Sequence, residues 1–165
     1  MQALFVTTED IKAFTLTNGN LDPDKFIQFV KVAQDIHIQN YLGTKLFDKI
    51  NDDIVANTLI APYSTLLTTY IKPMVIHWSM VEFLPYAAYT LANKGVFKHG
   101  SENSTTVDKN EVDFLIEKER SVAQNYTRRF IDFICNNSTL FPEYNANTNS
   151  DVYPSKESDS SGWLI

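Results

Sequence analysis

Apolar residues recur at intervals of three and four along most of the chain, which is the spacing that gives an α-helix one buried face. The first such stripe predicts a helix that starts at Pro23, with Asp22 as its N-cap, because proline suits the first helical position. The buried positions expected on it are Phe26, Phe29, Val30, Ala33, His37, Tyr41 and Leu42.

Gly43 interrupts this stripe and predicts a tight corner between two helices. Glycine tolerates the positive φ of a left-handed helix cap, and Thr44 can begin the next helix at once. That second helix is expected to bury Leu46, Phe47 and Ile50 and to end near Asn57.

A third helix is predicted over residues 62–93, where the only formal charges are Lys72 and Glu82. A helix that is apolar nearly all round lies in the centre of a domain. Pro73 and Pro85 each remove a backbone donor and should kink or split it. Glu82, in such apolar surroundings, is expected to pair with a Tyr or Arg donor or to lie at a subunit contact.

A polar loop is predicted over residues 95–107, and Asp108 is a natural cap for a last long helix. Its apolar stripe consists of Val112, Leu115, Ile116, Val122, Ala123, Tyr126, Phe130, Phe133 and Ile134. In front of the first long helix, Thr8 can cap a short helix in an N-terminal arm, residues 1–21. The chain contains no alternating run long enough for a central strand. We therefore predict an all-α bundle of about four helices, with the arm, a body over residues 22–142 and an extended tail over residues 143–165.

The composition of the 165 residues is that of a globular domain, with 44% hydrophobic and 21% charged residues. A net charge of -6 argues against a general nucleic-acid coat, which needs a basic face, although DNA could still slide past an acidic wall. Cys135, the one cysteine, lies in an apolar run and is expected to be a buried, inert thiol. No signal-peptide pattern opens the chain, and the apolar residues 73–92 are better explained as a buried helix than as a membrane span, so we expect a reducing cytoplasm.

No catalytic constellation emerges from the residue pattern. With 5 glycines there is no phosphate-binding loop, and no Cys/His spacing suits a metal. The three histidines, His37, His77 and His99, lie far apart, and His37 is expected to be a packing residue. We predict no catalytic, cofactor-binding or metal-binding residues. The basic step Arg128–Arg129 is either surface charge or a contact to an acidic partner.

The tail from Tyr144 onward is rich in Asn, Ser, Asp and Pro, a composition that does not bury enough apolar surface to offset its ordering entropy. We therefore expect a partner to hold it, although it could instead lie on its own domain. Trp163, Leu164 and Ile165 are the expected anchor in a neighbour's groove, with further contacts at Val152, Tyr153 and Pro154.

Residues 33–50, AQDIHIQNYLGTKLFDKI, place a helix ending in Tyr-Leu-Gly before a second helix with an aromatic residue after its first Leu. This segment resembles the head-to-tail connector (adaptor) proteins of tailed phages, and within them the neck ring proteins of crAss-like phages. The layout of the chain is also similar over most of residues 4–142: an arm, this helix pair, an apolar middle helix, a loop and a long last helix ending near Phe141–Pro142.

The resemblance implies a small helical bundle without catalysis or cofactor. Subunits would form a ring, commonly a dodecamer, that binds the portal protein and further neck or tail proteins in the virion, after assembly in the host cytoplasm. Genomic DNA would pass through the channel without sequence-specific binding, and no membrane would be involved. The loop carrying Lys98, His99, Glu102 and Asn103 would face a neighbouring subunit or the lumen.

Two other classes of function stay open from the sequence. One is a cytoplasmic helical regulator or inhibitor that binds a host protein, and the other is a small enzyme whose site is assembled between subunits. The mass in solution tests the first, and screening for hydrolase and transferase activity tests the second.

Overall fold

The computed structural model describes residues 2–15, 23–87, 89–92, 95–98 and 109–158. Six helices are present in these segments: α1 Thr8–Phe14, α2 Pro23–Ala33, α3 Gln39–Val55, α4 Tyr63–Leu66, α5 Lys72–Phe83 and α6 Lys109–Asn136. Single π-helical turns, Gln34–Ile38 and Leu67–Ile71, join α2 to α3 and α4 to α5. Short 3-10 turns cover Leu84–Tyr86, Ser138–Leu140 and Pro142–Asn145. The predicted small all-α bundle is confirmed, with one short antiparallel hairpin, β1 Tyr89–Ala92 and β2 Gly95–Lys98, added to it.

Helix α5 is the centre of the bundle and packs between α2 and α6. It is buried on nearly all sides, as its composition predicts, through Met74, Val75, Ile76, Trp78, Ser79, Met80 and Val81. The indole Nε1 of Trp78 donates a hydrogen bond to Thr127 Oγ1 at 3.1 Å, so the largest buried side chain has its polar atom satisfied on α6.

The third helix, predicted over residues 62–93 with a kink or a break at Pro73 and Pro85, is interrupted near both prolines but ends well before residue 93. The π-helical turn Leu67–Ile71 comes just before Pro73, and the regular helix ends at Phe83. Pro85 lies in the 3-10 turn that follows, and the chain then enters β1. Proline cannot donate to the preceding turn, and Tyr89 and Thr90 favour extended backbone, so the helical pattern stops earlier than hydrophobicity alone suggests.

Two predicted helix boundaries are confirmed. Helix α2 begins at Pro23, and Gly43 makes the corner inside α3 with a positive φ of 73°. Its ψ of 160° is extended, so the residue is not the left-handed helix cap that was expected. The cap of α1 is Thr7 rather than Thr8: Asp10 N donates to Thr7 Oγ1 at 3.2 Å, and Thr7 N donates to the Asp10 carboxylate at 2.9 Å. The predicted caps Asp22 and Asp108 lie outside the described residues.

Cys135 is exposed, so the expectation of a buried thiol is wrong. Helix α6 buries Ala123, Thr127, Phe130, Ile131 and Ile134. At about 100° per residue, the position after Ile134 turns away from this stripe toward solvent.

The N-terminal segment is packed into the same core. Phe5, Val6 and Ile11 are buried, and the rings of Phe5 and Phe47 lie 4.9 Å apart. The buried side chain of Gln34, in the first π-helical turn, accepts a hydrogen bond from Phe5 N at 2.7 Å. The arm is therefore tied to the first π-helical turn and to α3.

Candidate functional site

The first part of the tail lies on the corner at Gly43. Thr44 N donates to Val152 O at 3.0 Å, and Val152 N donates back to Thr44 Oγ1 at 2.9 Å. Further along, Ser155 N donates to Asn40 O at 2.7 Å. Residues 144–155 are thus held by their own chain, which corrects the expectation that this stretch depends on a partner. Backbone hydrogen bonds hold it, and composition does not reveal these.

The partner contacts expected in the tail have different surroundings. The side chains of Val152 and Tyr153 are 39% and 59% exposed, so both can still reach another molecule. Pro154 packs at the corner, where its Cδ would lie 2.9 Å from a Cβ built on Gly43. Partner binding by these residues stays a prediction.

The other residues that were expected to contact a partner are those of the chain end and of the loop before α6. Trp163, Leu164 and Ile165 lie beyond the described residues, and so do His99, Glu102 and Asn103. Lys98 is the last residue of β2, so residues 95–98 form a strand and not the start of the predicted loop, and of Lys98 the backbone alone is described. Residues of this segment pair with β1, which the polar composition of the loop does not reveal.

His37 and Glu82 form a half-buried pair between the first π-helical turn and α5. His37 Nε2 and Glu82 Oε1 are hydrogen bonded at 2.8 Å, and the imidazole stacks on the Trp78 ring with 4.1 Å between centroids. His37 is therefore a packing residue, as expected. The partner of Glu82 is this histidine and not the expected Tyr or Arg.

A second pair of the same kind joins α5 to α6. His77 Nδ1 and Glu119 Oε2 are hydrogen bonded at 2.8 Å, and the imidazole stacks on Tyr126 with 5.3 Å between centroids. The sequence does not predict this pair, because the helix-face pattern of α6 gives no sign that Glu119 contacts a histidine 42 positions earlier.

A cavity of about 280 Å³ opens beside this second pair and is called the α5–α6 cavity here. Its lining combines apolar and aromatic side chains with polar ones: Phe14, Pro73, Ile76, Tyr126, Asp10, Thr68, Lys72 and His77. Most of the polar side chains already have partners, since Lys72 Nζ donates to Asp10 Oδ2 at 2.7 Å and His77 holds Glu119. The cavity is therefore suited to burying an apolar group.

The ion pair at the cavity affects the ionisation of Asp10. Partial burial raises its pKa, but hydrogen bonds from Lys72 and Thr7 and the charge of Lys72 act in the other direction, and the net pKa is lowered from the ordinary value. Asp10 is thus a carboxylate at neutral pH. Within the part of the chain that the structure describes, no group of three or more His, Cys, Asp or Glu could hold a metal ion.

The first half of α6 exposes apolar side chains. None of residues 109–122 is buried, whereas the second half of the helix contributes five buried residues to the core. Phe114, Leu115 and Val122 are 59%, 40% and 37% exposed, and together they are called the α6 strip here. The ring of Phe114 also has the Lys118 ammonium 5.4 Å from its centroid.

Comparison with known proteins finds one family. The profile described as a family of unknown function, DUF6712, matches residues 38–154. The chain belongs to this family. The DUF6712 region runs from the end of the first π-helical turn to Pro154, so the part of the tail that docks at Gly43 lies inside it. No curated protein and no solved structure matches the chain. In the described segments of this DUF6712 protein, no helix has the length and apolar character needed to cross a bilayer.

Proposed function

We propose that this chain is a structural virion protein that forms a head–tail connector ring between portal and tail. The ring would extend the DNA channel and provide a platform for further neck or tail proteins. The observation that carries the proposal is the α6 strip, in which three large apolar side chains of one helix half face solvent.

Covering an exposed strip of this kind with another surface is favourable. Burying apolar area contributes roughly 25 cal/mol per Å², so covering Phe114, Leu115 and Val122 can add about 3–6 kcal/mol to an association before its entropic costs. Leu115 and Val122 lie two turns apart on one face of α6, with Phe114 about 100° to the side, and exposed apolar patches mark interaction surfaces. A ring of identical subunits supplies such a surface to every copy.

The polar chemistry of the chain agrees with a structural role. The two half-buried histidines, His37 and His77, each hold a carboxylate and stack on an aromatic ring, which is a packing arrangement. The net charge of -6 is suited to a channel wall that does not grip DNA phosphates. In this proposal DNA passes without being read, and the chain performs no catalysis.

Light scattering on the purified chain tests the proposal against the alternative of a helical regulator that binds a host protein. A connector subunit is expected to reach a mass well above that of a dimer as its concentration rises, where one copy has a mass of 18.8 kDa. A mass of one or two copies at every concentration would favour the regulator.

A further inference from the structure

The α6 strip and the α5–α6 cavity lie on the same helix but cannot meet within one molecule. Phe114 precedes Tyr126, which lines the cavity, by twelve positions of the continuous helix α6. Twelve residues correspond to about 18 Å along the axis and a net rotation of about 120°. The ring of Phe114 therefore points away from its own cavity and can enter only that of another molecule.

The size and lining of the cavity suit an aromatic side chain. A cavity of about 150 Å³ lined by apolar groups is large enough to bind benzene, and this one has about 280 Å³. Phe14, Ile76 and Tyr126 offer apolar contacts. Aromatic anchors that fill such pockets dominate the binding energy of most interfaces.

The charges around the two surfaces are largely paired. On α6, Glu117 forms an ion pair with Arg120 at 3.4 Å, and Lys118 lies beside the Phe114 ring. At the cavity, Lys72 is paired with Asp10, and His77 is hydrogen bonded to Glu119. Little unpaired charge opposes a contact between the two surfaces, so burial of the Phe114 ring is expected to supply most of its free energy.

We propose that Phe114 of one subunit inserts into the α5–α6 cavity of a second copy of this chain, a contact that rests on the ring proposed above. Because the strip and the cavity are different surfaces, each subunit gives its strip to one neighbour and receives the strip of another. Contacts of this head-to-tail kind generate closed rings when the rotation between subunits closes.

Two single-site variants of the full chain separate the two surfaces. Phe114→Glu removes the anchor from the strip, and Thr68→Trp places an indole at the cavity while leaving the strip intact. Ile60→Glu is the matched control, because Ile60 is 72% exposed and belongs to neither surface. Phe14→Glu is a second cavity variant in case Thr68→Trp does not fold, and circular dichroism melting checks that all variants are folded.

Analytical ultracentrifugation provides the readout. We expect the wild type and Ile60→Glu to assemble beyond the dimer, and each strip or cavity variant alone to associate at least about thirtyfold more weakly. An equal mixture of Phe114→Glu and Thr68→Trp has one intact contact, between the free cavity of the first and the free strip of the second. It should form a one-to-one dimer and nothing larger.

Several results would overturn the contact. These are assembly of either folded variant as strong as the wild type, a mixture that stays monomeric, and a mixture that recovers the wild-type size. Rings that persist in both variants would rule out this contact but not the proposed connector function. A wild type that never exceeds a dimer would rule out the proposed ring itself.

Discussion

Gly43 determines where the tail can lie. Its backbone angles, φ 73° and ψ 160°, belong to a region that is essentially restricted to glycine. A Cβ at this position would also stand 2.9 Å from Asn147 Nδ2 and from Pro154 Cδ. The corner between the two parts of α3 and the docking of the tail therefore depend on the same missing side chain.

We predict that Gly43→Ala lowers the free energy of unfolding by about 2–4 kcal/mol, from backbone strain together with displacement of the tail. Urea denaturation followed by circular dichroism measures this. Adding Pro154→Ala should recover part of the loss, because it relieves one close contact and leaves the backbone strain. A single variant as stable as the wild type would contradict the tail docking described here.

His37 is the second residue whose removal should be costly. His37→Ala leaves Glu82 without its partner and opens a gap against Trp78, so we expect a loss of about 1–3 kcal/mol in the free energy of unfolding. Glu82→Gln keeps a hydrogen-bonding side chain of nearly the same shape and should cost less. An equal or larger cost for Glu82→Gln would argue against this pairing.

For single residues, the sequence predicts whether a side chain packs in the body or needs a hydrogen-bond donor better than it predicts which residue it contacts. The stripe spacing predicts that His37 packs in the body, and the apolar surroundings of Glu82 predict that this carboxylate needs a donor. That the two meet depends on the crossing of two helices 45 positions apart, which periodicity does not encode.

The helices differ in how much of their length packs against the core, and the two halves of α6 show the difference most clearly. Phe130, in its second half, is fully buried, whereas Phe114, in its first half, is mostly exposed. The same substitution at both positions compares the two halves directly. Phe130→Ala should lower the free energy of unfolding by about 3–5 kcal/mol and Phe114→Ala by less than about 1 kcal/mol.

The comparison is best made by urea denaturation at low protein concentration, where association does not contribute to stability. Similar losses at the two positions would mean that the first half of α6 is packed against the body, contrary to the structure.

Helix α1 is joined to α5 through an ion pair, which gives the fold a pH dependence. The folded-state pKa of Asp10 lies below the unfolded value of about 3.9, so its carboxylate stabilises the fold above about pH 4. This contribution is lost as the pH falls through the folded-state pKa. Asp10→Asn should cost about 1 kcal/mol at neutral pH, mainly through the cap and the Lys72 contact.

The difference between Asp10→Asn and the wild type should disappear in strong acid, which thermal unfolding across a pH series can follow. Glu9→Gln is the matched control, because it removes the same charge from the same helical turn. A difference for Asp10→Asn that does not change between neutral pH and strong acid would contradict the ion pair.

The geometry of the α-helix explains which elements the sequence predicts well. A period of three to four residues follows from helix geometry, so the long helices are recognisable, and Pro23 and Gly43 mark their boundaries through their backbone preferences. The π-helical turns leave the apolar period almost unchanged and go unnoticed. Residues 85–92 are mostly apolar, and a buried helix and a short strand can both have this composition. Hydrophobicity alone therefore does not distinguish the observed 3-10 turn and strand from a helix.

For the whole molecule, the surfaces that matter are assembled from distant parts of the chain. The α5–α6 cavity takes residues from α1, the second π-helical turn, α5 and α6, and no local pattern brings Phe14 beside Tyr126. The strip was predictable only in part: Leu115 and Val122 belong to the apolar stripe, but the stripe itself does not indicate which half of the helix the core covers.

An averaged electron micrograph, of the purified full chain and of particles that contain it, tests the connector proposal most directly. We expect a closed ring of identical helical subunits around an open axial channel, positioned between head and tail in the particles. Particles that carry the chain elsewhere, or a purified chain that forms no closed ring at any concentration, would contradict the proposal.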